Sequence, residues 1–124
     1  MKTRHFRDLQ VWQRSMKLAC HIYAVTQPFP KSEIFGLASQ LRRAAVSVPS
    51  NIAEGQGRLS DKTFAHFLGL ARGSLFEMET QLELACRLEF LESGKLPPLL
   101  AECSEIGRMI NGLLTTLQEN SLQS

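Results

Sequence analysis

Apolar residues recur at every third or fourth position along most of the chain, and this spacing limits the possible folds more than any other feature. Two long sets follow the rule without a break. They comprise Phe64, Leu68, Ala71, Leu75, Met78, Leu82 and Ala85, and then Leu99, Cys103, Ile106, Ile110, Leu113 and Leu117. Since an α-helix completes a turn in about 3.6 residues, each set lies on one face of a helix. No segment shows the alternation that is typical of a half-buried strand.

Two shorter sets nearer the N-terminus have the same period. They comprise Leu9, Trp12, Met16, Ala19 and Tyr23, followed by Leu37, Leu41, Ala44, Val48 and Ile52. Proline and glycine residues separate the four segments, and connections this short make neighbouring helices antiparallel. The sequence therefore predicts an all-α, antiparallel up-down-up-down four-helix bundle. We expect a single domain over residues 1–124, with helices at about 8–27, 33–55, 61–92 and 97–120.

Pro49 falls inside the second predicted helix, where its ring removes one backbone hydrogen bond and crowds the preceding turn. We expect this helix to bend at Pro49. One interpretation is that the bend wraps the helix around the core. The other is that it opens backbone or side-chain groups towards a neighbouring subunit or a ligand.

The composition excludes several classes of protein. With 44% hydrophobic and 21% charged residues, the 124-residue chain is not intrinsically disordered. No run approaches the ~18 apolar residues of a membrane span, and the basic N-terminus leads into no apolar signal segment. Three cysteines, Cys20, Cys86 and Cys103, lack CxxC spacing, which favours a reducing compartment. We therefore expect a cytoplasmic protein with no membrane contact.

Charge divides the chain into two parts. Residues 1–76 carry eleven Lys or Arg against four acids, whereas residues 77–124 carry three against eight. One interpretation is that both sets are solvated helix faces. The other is that the folded protein presents one basic and one acidic surface.

Signatures of catalysis are absent from the sequence. The three histidines are scattered, no Glu-x-x-His pair suits a di-iron bundle, and no phosphate-binding loop occurs. Cys86 and Cys103 lie equally far from a turn at Gly94 and Lys95, so they are either neighbours or separate small core residues. We expect no enzyme activity, no catalytic residue, no metal and no cofactor.

Polar residues form a stripe along the second predicted helix: Gln40, Arg43, Ser47, Asn51, Glu54 and Arg58. Reflection about the turn near residues 58–59 brings Arg43 level with Ser74, one turn from Glu77. One interpretation is a structural network of Arg43, Asn51, Glu54, Ser74 and Glu77, with a desolvated Arg43–Glu77 pair. The other is a ligand or nucleic-acid site. Gly73, inside the third helix, suggests close approach of another helix.

The same residues carry a family resemblance. The strings at 36–37, 40–55, 58, 67–68, 71–75, 77 and 81–82 resemble the proteins named for intervening sequences in bacterial 23S ribosomal RNA genes. The resemblance covers about residues 6–91, and Glu89 stands where relatives often have glycine. It implies an antiparallel four-helix bundle that assembles into rings, typically pentamers. A related branch, the accessory proteins of diversity-generating retroelements, binds nucleic acid through a basic surface.

We therefore expect a non-enzymatic, ring-forming bundle that binds nucleic acid or a nucleoprotein complex through a basic surface. The predicted phosphate contacts are Arg14, Lys17, Arg42, Arg58, Lys62 and Arg72. The expected partners are further copies of the chain in a homo-oligomer, most simply a pentamer, together with RNA, DNA or a nucleic-acid-processing protein. Apolar residues outside the helix seams, Leu70, Phe76 and Phe90, favour self-association. The alternative is a protein-interaction scaffold with no direct nucleic-acid contact.

Overall fold

The computed structural model describes the backbone of residues 5–123 and the side chains of residues 5–120. It contains four α-helices: α1 (Gln10–Thr26), α2 (Leu37–Gly57), α3 (Asp61–Arg87) and α4 (Leu96–Gln123). Single 3-10 turns precede α1, α2 and α4. No strand occurs within residues 5–123, so the predicted all-α fold is confirmed.

The helices pack in the order in which they occur in the chain. The α2–α3 interface is the most extensive, followed by α1–α2 and α3–α4, and α1 closes the bundle by packing on α4. This is the arrangement of an up-down-up-down four-helix bundle. Helix α2 runs through Pro49 without interruption, and the bend expected there stays a prediction.

The core of α1 differs from the predicted one. The predicted apolar seam of α2 is fully buried, and those of α3 and α4 are buried over most of their length. Helix α1 instead buries a different set of residues: Val11, Ser15, Leu18, Ile22 and Thr26. The expected set is displaced outwards, and Met16 and Tyr23 are both exposed. The reason is that Ser15 and Thr26 donate their hydroxyl hydrogens to the carbonyls of Val11 and Ile22, at 2.6 and 2.7 Å. Because these hydrogen bonds satisfy their hydroxyl groups, Ser15 and Thr26 can occupy core positions.

Helix α3 ends at Arg87, five residues before the predicted end at 92. Glu89 takes a left-handed conformation with φ of 65°, and the Phe90 amide donates to the Ala85 carbonyl at 2.9 Å. This is the Schellman arrangement that closes many helices, and it favours glycine at the left-handed position. Glu89 is therefore the residue that stops α3.

Cys86 and Cys103 lie at different levels along the bundle axis, although they are equally far in sequence from the predicted turn. Cys103 is buried and its Sγ lies 3.9 Å from Met78 Sδ, whereas Cys86 is two helical turns further along α3. Cys86 and Cys103 are therefore not at the same level of the bundle. All three cysteines have free thiols.

None of the described helices combines the length and the hydropathy needed to cross a membrane.

Candidate interaction surfaces

An open apolar groove, with a volume of about 710 Å³, runs between α1 and α2. Its lining residues come almost equally from the two helices: Trp12, Met16, Ala19, Cys20, Tyr23, Val46, Pro49, Ser50 and Ala53. The α1 side is the apolar stripe that the sequence predicts to be core. An exposed apolar patch of this kind marks an interaction surface in many soluble proteins.

The groove continues past Tyr23 and Val46 into a more polar cleft of about 590 Å³. Arg42 lies at this junction, where its Nε donates to Thr26 Oγ1 at 2.8 Å. Its guanidinium carbon is 4.7 Å from the centre of the Tyr23 ring. Arg42 therefore fastens α2 to the end of α1, and its donors are largely used within the chain.

Three other predicted phosphate contacts also have partners in the chain. Arg58 Nη2 donates to Glu54 at 2.9 Å, and Arg72 Nη1 donates to Asn111 Oδ1 at 2.8 Å. Arg14 lies 4.0 Å from Glu105. Within the described residues Lys17 and Lys62 are exposed and form no ion pair.

These contacts place the predicted basic residues on different sides of the bundle. Arg14 faces α4 across the α1–α4 seam, Arg42 spans the α1–α2 seam, and Arg72 spans the α3–α4 seam. A single chain therefore does not gather all six cations on one face. A shared basic surface would need contributions from several copies.

The predicted polar network is only partly assembled. Ser47 and Ser74 hydroxyls are 2.8 Å apart, and Asn51 Nδ2 donates to the carbonyl and hydroxyl of Ser47 at 2.8 and 2.9 Å. The structure therefore joins Asn51 to Ser74 through Ser47. Glu54 lies outside this group because it pairs with Arg58 on the surface.

The predicted desolvated pair of Arg43 and Glu77 is wrong. Both side chains are exposed, and they form no ion pair with each other. The register is one turn away from the predicted one, because Ser47 rather than Arg43 meets Ser74. Side chains lean towards the N-terminus of their own helix, so antiparallel partners meet further from the turn on α3 than a simple reflection suggests.

The close approach between α2 and α3 occurs at Gly55, and the expectation for Gly73 is wrong within this chain. A Cβ atom at Gly55 would lie 2.6 Å from Phe67 Cβ, whereas one at Gly73 would meet nothing within 4 Å. Phe90 is likewise not an exposed side chain, because it packs against Phe29 with ring centres 5.8 Å apart.

An interaction that the sequence did not predict joins α1 to α4. His21 Nδ1 lies 2.9 Å from both carboxylate oxygens of Glu102. Pairings between the first and the last helix leave no spacing signal in a single sequence, so this one was missed. It fastens the seam between α1 and α4, which is the least extensive of the four helix–helix interfaces.

The order in which the helices pack defines the class of protein, an up-down-up-down four-helix bundle. Its α2–α3 interface contains the close contact at Gly55 and the hydrogen bond between Ser47 and Ser74. The chain belongs to the family of 23S rRNA-intervening sequence proteins, whose family model matches residues 7–112. It is similar to a crystal structure of a protein of unknown function from the S23 ribosomal protein family of Bacteroides thetaiotaomicron. That match has a TM-score of 0.75 and 23% identity, and covers 84% of this chain and 97% of the other. A comparison with curated proteins finds no match.

Proposed function

We propose that the protein is a non-enzymatic interaction module that assembles with further copies of itself through the groove between α1 and α2. The observation that carries this proposal is the displaced stripe of α1. Met16 and Tyr23 have helical apolar spacing but face an open groove instead of the core, and the partly buried Trp12 also lines this groove. A second copy would remove this apolar surface from water, which is the main favourable term in association.

The occupant that we propose for the groove is the outer face of α3 of the next copy. Phe76 is 60% exposed there, and Leu70 and Leu84 are nearly half exposed. Gly69 and Gly73 lie on the same helix with open space at their Cβ positions, so an incoming helix can approach the α3 backbone closely. Phe76 is then the anchor, since aromatic side chains dominate many interfaces.

Charge supports this pairing of surfaces. Residues 10–57, which include α1 and α2, carry five Lys or Arg against two acids. Residues 77–87, the second part of α3, carry one Lys or Arg against three acids. Glu83 is exposed on α3 within two turns of Phe76. Opposite charges on the two surfaces favour this orientation and disfavour the contact of two like surfaces.

The two surfaces belong to different sides of the bundle, so their contact is heterologous and generates a ring or an open filament. A closed ring of five copies is the assembly that the resemblance implies. We include this stoichiometry in the proposal.

Native mass spectrometry at micromolar concentration tests the proposal. The unmodified protein should form a closed oligomer, and a charge placed in the groove by Val46→Glu should yield monomers. Leu59→Glu is the matched control, because Leu59 is exposed in the α2–α3 turn and lies outside both surfaces. A monomeric unmodified protein, or a Val46→Glu variant that assembles normally, would overturn the proposal.

Nucleic-acid binding is the second candidate, and the excess of cations on the α1–α2 side favours it. Lys17 and Arg43 are exposed on these helices and form no ion pair in the described part of the chain. A ring would repeat these cations around its circumference, so several weak phosphate contacts would act together on one strand.

A further inference from the structure

The polar cleft at the Tyr23 end of the apolar groove carries positive charge that the chain itself does not neutralise. Arg42 and Arg43 both line this cleft, and none of the other described residues in its lining is acidic. Arg42 donates hydrogen bonds within the chain, to the Thr26 hydroxyl and the Tyr23 carbonyl. Arg43 is exposed and forms no ion pair among residues 5–120. Its guanidinium group is therefore available to an acidic partner.

The surface proposed to fill the groove has a matching negative charge at Glu83. Glu83 is exposed on α3 and forms no ion pair in the described part of the chain. It follows Phe76 by seven residues, or almost two helical turns, so the two side chains lie on nearly the same side of α3. The rise along the helix between them is about 10.5 Å. Phe76 and Glu83 can therefore contact one partner surface at two separate points.

The groove and the cleft have a similar spacing on α2. Pro49 lies in the middle of the α2 side of the groove, and Arg43 precedes it by six residues, which is a rise of about 9 Å. With Phe76 of the next copy packed beside Pro49, Glu83 of that copy lies level with Arg43 to within about 2 Å. This match requires that the incoming α3 runs antiparallel to α2.

Given the assembly through the groove, on which this pairing rests, we propose that Glu83 of each copy binds Arg43 of the next. The pair fixes the direction in which α3 enters the groove. In the opposite direction Gly69, seven residues before Phe76, would reach the cleft and leave Arg43 without a counter-charge. An unpaired charge in a contact that excludes water is costly, so the opposite direction is disfavoured.

The proposed direction is also the one that a closed ring needs. Within one chain α2 and α3 are antiparallel neighbours. Copies related by a rotation axis parallel to their helices all point the same way, so α3 of one copy is antiparallel to α2 of the next. Such a ring presents α3 to the groove in the direction that pairs Glu83 with Arg43.

Charge reversal tests the pairing, with sedimentation velocity over a range of protein concentrations as the measurement. Arg43→Glu and Glu83→Arg should each raise the concentration of half-assembly at least about tenfold, because each brings two like charges together. The double variant restores opposite charges and should assemble within about threefold of the unmodified protein. Both side chains are exposed, so the Tm should not change in any of the three. A double variant that assembles as weakly as Arg43→Glu alone would overturn the proposal.

Two kinds of control show whether this pair or the overall charge is responsible. Lys95→Glu and Glu92→Arg make the same charge changes in the α3–α4 connection and should assemble normally. Glu77 is exposed and directly follows Phe76, so it lies level with the apolar middle of the groove and not with the cleft. Arg43→Glu combined with Glu77→Arg should therefore assemble as weakly as Arg43→Glu alone. Equal rescue by Glu77→Arg and Glu83→Arg would show that the proposed pair is wrong.

Failure of the pairing is distinguishable from failure of the proposed assembly. A monomeric unmodified protein would overturn both. If Val46→Glu prevents assembly while Arg43→Glu and Glu83→Arg assemble like their controls, the groove is the subunit contact and only the pairing of Glu83 with Arg43 is wrong.

Discussion

Gly55 of α2 lies directly against Phe67 of α3, so closely that a Cβ atom at position 55 would come within 2.6 Å of the Phe67 Cβ. The Phe64 ring would be 3.1 Å away from the same atom. Both neighbours project from a packed helix, and neither contact is with the flexible end of a long side chain. The α2–α3 distance at this end of the bundle is thus set by the absence of a side chain.

Gly55→Ala should therefore lower the free energy of unfolding by about 1–3 kcal/mol, because the added methyl group must push α2 and α3 apart. Gly57→Ala is the matched control, since a Cβ at Gly57 meets nothing within 4 Å. It should leave stability equal or raise it by up to about 1 kcal/mol. Urea denaturation of both variants measures the difference. Equal stabilities would show that the two helices relax apart freely at Gly55.

Glu89→Gly should stabilise the protein. Glu89 has φ of 65°, a conformation that side chains with a Cβ adopt at a cost and glycine adopts readily. We expect a net gain of about 0.5–1 kcal/mol in the free energy of unfolding. The gain is no larger because glycine loses more chain entropy on folding, which offsets part of the relieved strain. Glu92→Gly is the control, because Glu92 has an ordinary φ of −61° and gains nothing from glycine. A loss of stability in Glu89→Gly, measured by thermal or urea unfolding, would contradict this prediction.

The cysteines should differ strongly in reactivity. Burial is the main cause that raises the pKa of Cys103 to about 12, and the nearby carboxylates of Glu79 and Glu102 add to it. At pH 8 only about one Cys103 thiol in 10⁴ is a thiolate, so native Cys103 should not react with a disulfide reagent. Cys20, exposed on the groove, should react rapidly in the monomeric protein. Peptide mapping after a short labelling pulse measures both rates.

The same labelling experiment reports on assembly. If a second copy fills the groove, Cys20 should be protected in the oligomer and become reactive in the Val46→Glu variant. Rapid labelling of Cys20 in an intact oligomer would place the subunit interface elsewhere. The unfolded protein, in which all three thiols react, provides the reference.

Nucleic-acid binding, if present, should depend strongly on salt. Lys17→Gln and Lys62→Gln together remove two exposed cations that have no ion pair among the described residues. For each phosphate that is no longer neutralised, the slope of log affinity against log salt should decrease by about 0.7 for single strands or about 0.9 for duplex DNA. Arg72→Gln is the control, because Arg72 is half-buried and bonded to Asn111. Absence of binding to mixed RNA and DNA oligonucleotides at low salt would favour the scaffold alone.

The spacing of apolar residues was sufficient to predict the number and order of the helices and the core of α2, α3 and α4. It was not sufficient for the rotation of α1, because hydrophobicity ranks Ser15 and Thr26 as surface residues. Their hydroxyl groups donate hydrogen bonds to backbone carbonyls of their own helix. The hydroxyl groups therefore have partners whether that side of the helix faces solvent or the core. A pattern of residue types carries no record of such local bonds.

The candidate surfaces were harder to predict for a different reason. Arg42 and Arg72 have the same sequence signature as free surface cations, and only the register between helices shows that each meets an acceptor. Arg43 and Glu77 were predicted to pair because a reflection about a turn ignores the tilt of the side chains. One helical turn of error, about 5.4 Å, is enough to exchange a paired residue for an exposed one.

The two apolar stripes of α1 also bear on how the chain finds its native state. One stripe contains Leu18 and Ile22 and the other contains Met16 and Tyr23, about 100° apart around the same helix. We expect that α1 can dock through either stripe during folding, which would add a competing minimum to the folding landscape. Only the native rotation leaves Met16 and Tyr23 available to a second copy. Assembly would then stabilise the native rotation of α1, because only correctly docked chains would associate and leave the folding equilibrium.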